Sequence, residues 1–488
     1  MNTTDSAPDR VRGTRNPVII IVALGLSSLF VALMQSLVIP IQLELPELLG
    51  TTRSNASWVV TATLLGAAVA MPVSGRLADL LGKKPILVAS ALILLAGSLI
   101  CALSDTLTPM LVGRVLQGLA MGYIPVAISF VREVAPVNMV NTAVASISAM
   151  LGVGGALGLP LAAWIAESLD WHALFWVSLG LAAAMTLMSL LVLPHVHDAH
   201  DGRLDVVGAL GLTVGLVSFL VGVTKGNDWG WTDGVTLGLI VGGLVFLVLW
   251  GLFELRHDDP LVDLRTMARR PVLMTNLAAV LIGFGMMAQA IVIPQLLETP
   301  EITGYGLGQS ILQAGLWMAP GGLMMLVFAP VSSKMLTTIG GRRTLALGAA
   351  VLSVGYVLAI FLTGAPWQLL IATCIGSAGV GIGYAAMPTL ILENVPAEES
   401  GAGVGLNGLM RSVGTTVAGA VMAVVLTSKT MEIGPKATEI PTLGAYQLCF
   451  VIGAVAAAIG AALALLVYPL GTKKMTPAEL QEKVTAEA

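Results

Sequence analysis

Fourteen stretches of this chain are each long and apolar enough to cross a lipid bilayer, and that leaves little else for it to fold into. They run at roughly 17–43, 55–77, 86–104, 108–131, 139–164, 172–193, 205–224, 235–253, 272–297, 308–331, 344–363, 367–392, 402–427 and 446–469. A spanning helix needs about 20 mostly apolar residues, because every backbone amide in lipid must bond within its own segment. Only 11% of residues are charged and 56% are hydrophobic, a balance foreign to soluble globular domains. The expected class is an all-α integral membrane protein with fourteen transmembrane helices. The first run is too long for the apolar core of a secretory leader, and no small-x-small site closes it. It is expected to remain as the first spanning helix.

Basic residues set the expected orientation. With the N-terminus in the cytoplasm, eighteen of the 24 Lys and Arg fall in inner loops and tails. The outer side then carries only Arg53, Lys225, Lys429 and Lys436, the bias seen in membrane proteins. A multi-pass cell-membrane protein with both termini cytoplasmic follows as the expectation. The loop after segment 12 is discordant, with Glu393, Glu398 and Glu399 and no cation.

Several function classes lose support. The net charge of −4 is spread over loops and forms no basic stripe for nucleic acid. Cys101, Cys374 and Cys449 lie in apolar runs without CxxC spacing, and read as packing residues. His195, His197 and His200, beside Asp198 and Asp201, read as a solvated linker and not a metal site. No nucleophile, acid/base or metal cluster gathers at one membrane depth, which argues against an enzyme. No soluble domain of the kind a receptor needs is present, and no cofactor is expected.

An internal repeat organises the chain. Gln35-Ser36-Leu37-Val38-Ile39-Pro40 matches Gln289-Ala290-Ile291-Val292-Ile293-Pro294 at an offset of 254. The same offset pairs Glu44 with Glu298, Pro46 with Pro300 and Glu47 with Glu301. At an offset of 258, Pro72-Val73-Ser74 meets Pro330-Val331-Ser332, Gly82 meets Gly340, and Lys84 meets Arg342. Segments 1–6 therefore correspond to segments 9–14 in the same orientation, and 7 and 8 look inserted. The expected organisation is an N-terminal tail (1–16), a six-helix bundle (17–194), a linker holding two inserted helices (195–271), a second six-helix bundle (272–470) and a C-terminal tail (471–488). Repeats of this kind mark secondary transporters, whose sites lie at the repeat interface near the midplane.

Three local patterns stand out. The first is the charged turn Gly75-Arg76-Leu77-Ala78-Asp79-Leu80-Leu81-Gly82-Lys83-Lys84. Gly75 permits close helix approach. Asp79 is expected at the start of the next helix, where the helix dipole favours an anion, with Lys83 at i+4. The second is Arg114 with Gln117 three residues on, an arginine inside an apolar segment that should face a bundle interior or a wet cavity. The third is the small-residue run Gly152–Ala163 of segment 5, containing Gly154, Gly158 and Pro160, which suits close helix packing and a bend.

Two six-helix halves, two extra helices and these patterns resemble the fourteen-helix drug:proton antiporter family of the major facilitator superfamily. The resemblance implies proton-driven efflux of small amphipathic or drug-like compounds by alternating access, with a proton gradient as energy source and a monomeric protein in the bilayer. It implies that Gly75, Asp79, Gly82, Lys83 and Lys84 form a latch between the bundles that stabilises the outward-facing state; the plain alternative is a positive-inside loop with a helix cap. It links Arg114 to proton coupling, against a structural arginine bonded to carbonyls. Segment 5 departs from the family's antiporter motif: Leu159 stands where proline is expected, and Ala162-Ala163 replace glycines. Family members often carry an embedded arginine at the place of Arg411, suited to an anionic substrate group or an acid. Many relatives also carry an aspartate in the middle of helix 1, where this chain reads Leu33-Met34-Gln35-Ser36.

Gln35 and Gln289 thus stand as cavity candidates, and Glu44 and Glu298 as repeat-related acids at the outer mouth, either a proton-collecting pair or solvated helix ends. Met34, Met121, Met286, Met287 and Met387 lie on helices expected to line the cavity. The competing transporter reading is a dedicated carrier of one metabolite.

Overall fold

The computed structural model describes residues 16–467 apart from 43, 197, 198, 200, 201, 258 and 434–437. The N-terminal stretch before Asn16, the C-terminal tail and His197 and His200 therefore lie outside the described residues. Within them are fourteen helices of spanning length: α1 (Pro17–Ser36), α2 (Ser54–Leu81), α3 (Lys83–Ala102), α4 (Leu107–Val134), α5 (Val137–Ser168), α6 (Ala173–Leu191), α7 (Val206–Trp229), α8 (Gly234–Glu254), α9 (Arg270–Glu298), α10 (Ile311–Thr338), α11 (Gly341–Phe361), α12 (Pro366–Asn394), α13 (Ala397–Ser428) and α14 (Leu443–Leu465). The face holding the α2–α3 turn is called inner below.

Helix pairing repeats across the two halves. In the first, α1 packs on α5, α2 on α4, and α3 on α4 and α6; in the second, α9 packs on α13, α10 on α12, and α11 on α12 and α14. The halves meet along two seams related by the same exchange, α2 with α13 and α10 with α5. The repeat is legible in backbone conformation too. Gly82 and Gly340 take φ values of +90° and +80°, which residues with a Cβ rarely adopt, so both turns require glycine. The inserted α7 packs on its partner α8 and also on α2 and α13, and so lies against both halves; α8 turns most of its surface outward.

Three expectations are corrected. The first apolar run does not stay helical to 43: α1 ends at Ser36. Pro40 lacks the amide that would close on the Ser36 carbonyl, and the chain tightens into i→i+3 turns, Ile39 N to Ser36 O and Gln42 N to Ile39 O at 3.2 Å each. Its repeat partner α9 continues through Pro294 to Glu298. Second, Asp79 lies in the last turn of α2 and not at the start of α3, which begins at Lys83 after the Gly82 break. Third, Lys225 is no loop cation: α7 extends to Trp229 and buries it at 1% exposure. Its ammonium lies 3.2 Å from Asp228, donates to the Ser54 carbonyl at 3.1 Å and sits 4.8 Å over the Trp58 ring, which together offset its charge inside a helix. The all-α class holds, with one short antiparallel hairpin, β1 (Thr430–Ile433) with β2 (Thr438–Pro441), in the loop after α13.

Candidate functional site

On the inner face the seam between α2 and α13 closes around one side chain. Asp79 is fully buried, and its two carboxylate oxygens accept from the amides of Gly401 and Ala402, each at 2.9 Å. The α-helical part of α13 starts at Ser400 after a 3₁₀ turn at Ala397–Glu399, so these are its second and third amides, among the four left without α-helical acceptors at a helix start. An anion there is also favoured by the positive end of the α13 dipole. The dipole argument made for Asp79 thus applies, but to a helix of the other bundle. In its own helix the residue sits at the unfavourable C-terminal end.

The rest of the turn divides into three roles. Gly75 meets α13 backbone directly: a Cβ there would lie 2.2 Å from the Gly401 carbonyl oxygen. Lys83, fully buried, stands 3.9 Å from Asp79 and 3.5 Å from Glu133 on α4, neutralising the acid from within the first bundle. Lys84 points elsewhere and donates to the carbonyls of Leu193 at 2.7 Å and Leu190 at 3.3 Å, at the C-terminus of α6, where a cation suits the dipole. Gly82 supplies the backbone break. The structure therefore brings Gly75 and Asp79 to the opposite bundle and keeps Gly82, Lys83 and Lys84 in their own.

A second inner contact, not foreseen, joins Arg132 at the end of α4 to the Leu392 carbonyl at the end of α12, at 3.2 Å. An acid caps a helix start and a base caps a helix end, each with the favourable sign. The signal was available in sequence, since Arg132 follows an apolar run by a few residues, but its partner is 260 residues away.

The other seam differs in chemistry. Thr142 on α5 and Ser333 on α10 share one hydroxyl bond at 2.8 Å. Aligning Pro136 with Pro396 places Thr142 opposite Ala402, and the offset of 258 places Ser333 opposite Gly75. The repeat-related contact is thus a neutral pair where the first seam has a carboxylate on two amides, and Thr337, in the place of Asp79, is exposed and bonds to the Lys334 carbonyl of its own helix.

The small residues of α5 serve two faces. Gly154 and Gly158 face α1, where added Cβ atoms would meet the Leu29 carbonyl oxygen at 2.6 Å and Ser36 Oγ at 1.9 Å. Gly152, Ala156 and Pro160 face α10, against Met325, Gly322 and Gly315. Spacings of four keep each set on one stripe. The helix runs through Pro160 without a break.

Arg114 is buried between α2, α3 and α4. Its Nε donates to the Val59 carbonyl at 3.0 Å and its Nη1 to Gln117 Oε1 at 2.7 Å, while Gln117 passes a bond to Ser98 Oγ at 3.0 Å. Thr63 Oγ1 donates to the Arg114 carbonyl at 3.1 Å. These partners are neutral, and the arrangement braces three helices of one bundle. Arg411 is different. It is buried at 8% exposure on α13, lies 4.7 Å over the Tyr384 ring of α12, and makes no hydrogen bond or ion pair among the described residues. Tyr384 donates to the Met286 sulfur of α9 at 3.0 Å, and Met71 of α2 sits beside Ser412, 3.7 Å from its hydroxyl. Three helices of one bundle and one of the other thus converge around an unpaired guanidinium at mid-helix.

The glutamines do not match. Gln289 is buried and donates to Ser377 Oγ at 3.1 Å and, at 3.4 Å, to the Thr373 carbonyl on α12; Gln35 is half-buried, one residue before α1 ends, with no bond among the described residues. Glu44 and Glu298 are both exposed and nothing among the described residues joins them: Glu298 ends α9, whereas Glu44 precedes the short helix Leu45–Leu48 after the α1 turns. Of the methionines, Met34, Met121 and Met387 are buried in bundle cores, and Met286 and Met287 are partly exposed.

The family model of the Major Facilitator Superfamily matches residues 24–419 and again 275–487. The multidrug resistance protein B homolog of Mycobacterium tuberculosis is 26% identical over 390 residues, 78% of this chain and 70% of that protein. The multidrug transporter protein MdtP of Bacillus subtilis is 25% identical over 378 residues, 76% of this chain and 69% of that protein. The human organic anion transporter MFSD10 (TETRAN) superposes with a TM-score of 0.66 over 92% of this chain and all of that one, at 16% identity.

Proposed function

The chain belongs to the major facilitator superfamily, and from that premise we propose that it exports small amphipathic or drug-like compounds across the cell membrane by proton-coupled alternating access. Its two halves rock about their common interface as a monomer with both termini in the cytoplasm. The observation that carries this reading is the Asp79 carboxylate on the Gly401 and Ala402 amides. The contact is made between bundles and not within one, so it must break whenever the inner face opens. It therefore belongs to one of two states, and its strength sets their balance. The relatives named as multidrug transporters support the substrate class.

Substrate is taken up around Arg411, Tyr384, Met286 and Met71. A partly exposed thioether, an aromatic face and one cation suit varied amphipathic molecules. The unpaired Arg411 also favours a second reading, a dedicated carrier of one anionic metabolite. Efflux from everted vesicles under separately imposed pH and voltage gradients tests both. Saturable transport of several unrelated compounds, driven by the pH gradient, supports the first; transport of a single anion supports the second. No transport of a broad panel under any gradient overturns the efflux reading.

A further inference from the structure

The inserted hairpin carries an unexplained pair of acids where α7 begins and α8 ends. Asp205 caps α7, its Oδ1 accepting from the Gly208 amide at 2.7 Å. Its Oδ2 is buried and has no hydrogen-bond partner among the described residues. Glu254, the last residue of α8, is 2% exposed, and among the described residues neither of its carboxylate oxygens has a hydrogen-bond partner. The two acids face one another over Gly208: a Cβ there would lie 2.2 Å from Glu254 Oε1 and 2.4 Å from Asp205 Oδ2. Trp250 closes the same space, its indole N–H donating to the Gly208 carbonyl at 2.7 Å. The backbone amides of the fully buried Leu261 and Val262 face Glu254 from the linker and favour its charged form, against the effect of burial and of Asp205, though neither meets strict hydrogen-bond geometry.

Ionised carboxylates only accept hydrogen bonds, so two of them facing each other in a dry space leave acceptors with nothing to accept from. They also repel. One proton removes both difficulties: it turns one acid into a donor for the other and leaves a single charge. The surroundings offer little else to do so. His257 Nε2 stands 3.8 Å from Asp205 Oδ2, but its ring is 43% exposed. Arg76 of α2 and Asp259 approach Gly202, three residues before Asp205. Arg203 and Arg256, two residues from Asp205 and Glu254 in sequence, are exposed, and Glu399 at the start of α13 answers to Asp263, Thr266 and Arg76. Of these, only His257 reaches ion-pair distance of the pair. Among the described residues no group of three metal-ligating side chains assembles.

We propose that Asp205 and Glu254 form a proton-binding site, holding one proton between them at the inner end of the inserted hairpin. The site lies outside both repeat bundles but on the helix that packs against α2 and α13, the pair that closes the inner seam. It deepens the efflux reading and rests on it only where transport is measured. Losing the proton places two charges in the joint between α7 and α8 and loosens the hairpin there.

Infrared difference spectroscopy on the full-length protein in liposomes tests this. The wild type is expected to show a protonated-carboxyl carbonyl band at neutral pH that fades as pH rises, and Glu254→Gln is expected to remove it. That variant keeps a donor for Asp205, so it should fold, matching the wild type in thermal midpoint at acid pH and exceeding it at alkaline pH. Asp205→Asn, whose amide keeps Oδ1 on the Gly208 N–H and offers Nδ2 as the donor to Glu254, should remove the band likewise. A wild type with no such band, or a band indifferent to Glu254→Gln, overturns the proposal. So does a thermal midpoint raised by sodium or magnesium chloride but insensitive to pH, which would mark a cation site. The band is independent of transport. A chain that exports nothing but shows the band fails only the efflux reading, and pH-driven efflux without the band fails only this proposal.

Discussion

Asp79 and Gly401 lie 322 residues apart in sequence and 2.9 Å apart across the interface between bundles. Asn in place of Asp79 keeps one acceptor oxygen but loses the charge and the second acceptor. The α13 amides lose one bond and the charge–dipole attraction, about 1–2 kcal/mol together, or roughly tenfold in the ratio of inner-closed to inner-open molecules. Spin-label distance distributions between the inner ends of α2 and α13 should broaden toward longer values for Asp79→Asn. An unchanged distribution would reduce the turn to a membrane-edge anchor.

Gly75 tests the same seam sterically. An alanine methyl would overlap the Gly401 carbonyl oxygen at 2.2 Å, and backbone cannot swing aside as a side chain can. Gly75→Ala should therefore separate the inner ends more than Asp79→Asn does. Gly155→Ala, with nothing within 4 Å of its Cβ, is the control and should leave both distances and transport unaltered. At the other seam, Ser333→Ala removes a single neutral bond worth about 1 kcal/mol or less, and should shift the populations far less than Asp79→Asn.

The outer acids give a third test. Among the described residues Glu44 and Glu298 are exposed and make no bond to one another. A Glu44→Gln/Glu298→Gln double variant should transport with the wild-type pH profile. A displaced profile would restore them as a proton-collecting pair.

The spans were legible because apolar length alone decides what can cross a bilayer, and the repeat because Gln, Pro and Glu recur in register. What was not legible was which helix each charge would answer to. Asp79 reads as a cap for the segment that follows it, since i+4 spacing to Lys83 is visible in sequence and the start of α13 is not. The break of α1 at Ser36 was hidden for a related reason. The same Gln-x-x-Val-Ile-Pro pattern occurs in α9 without a break, so tertiary packing and not the motif decides the outcome. The acids of the inserted hairpin are not legible as a pair, because Asp205 stands at the edge of an apolar segment and Glu254, 49 residues on, needs the fold to bring it near.

The two embedded arginines separate stability from binding. Arg114→Lys gives up the Val59 and Gln117 bonds together, because an ammonium cannot reproduce the spread of Nε and Nη1. Leaving those acceptors and a buried charge poorly matched should cost about 3 kcal/mol, seen as a lower thermal midpoint in detergent. Arg411 has no such partners to lose, only the Tyr384 face at 4.7 Å. Arg411→Lys should leave the midpoint within a degree or two of wild type, and Arg411→Gln should do the same while weakening binding of anionic amphipaths at least tenfold in equilibrium dialysis. The reverse pattern, an unstable Arg411→Gln and a stable Arg114→Lys, would exchange the roles assigned to the two residues.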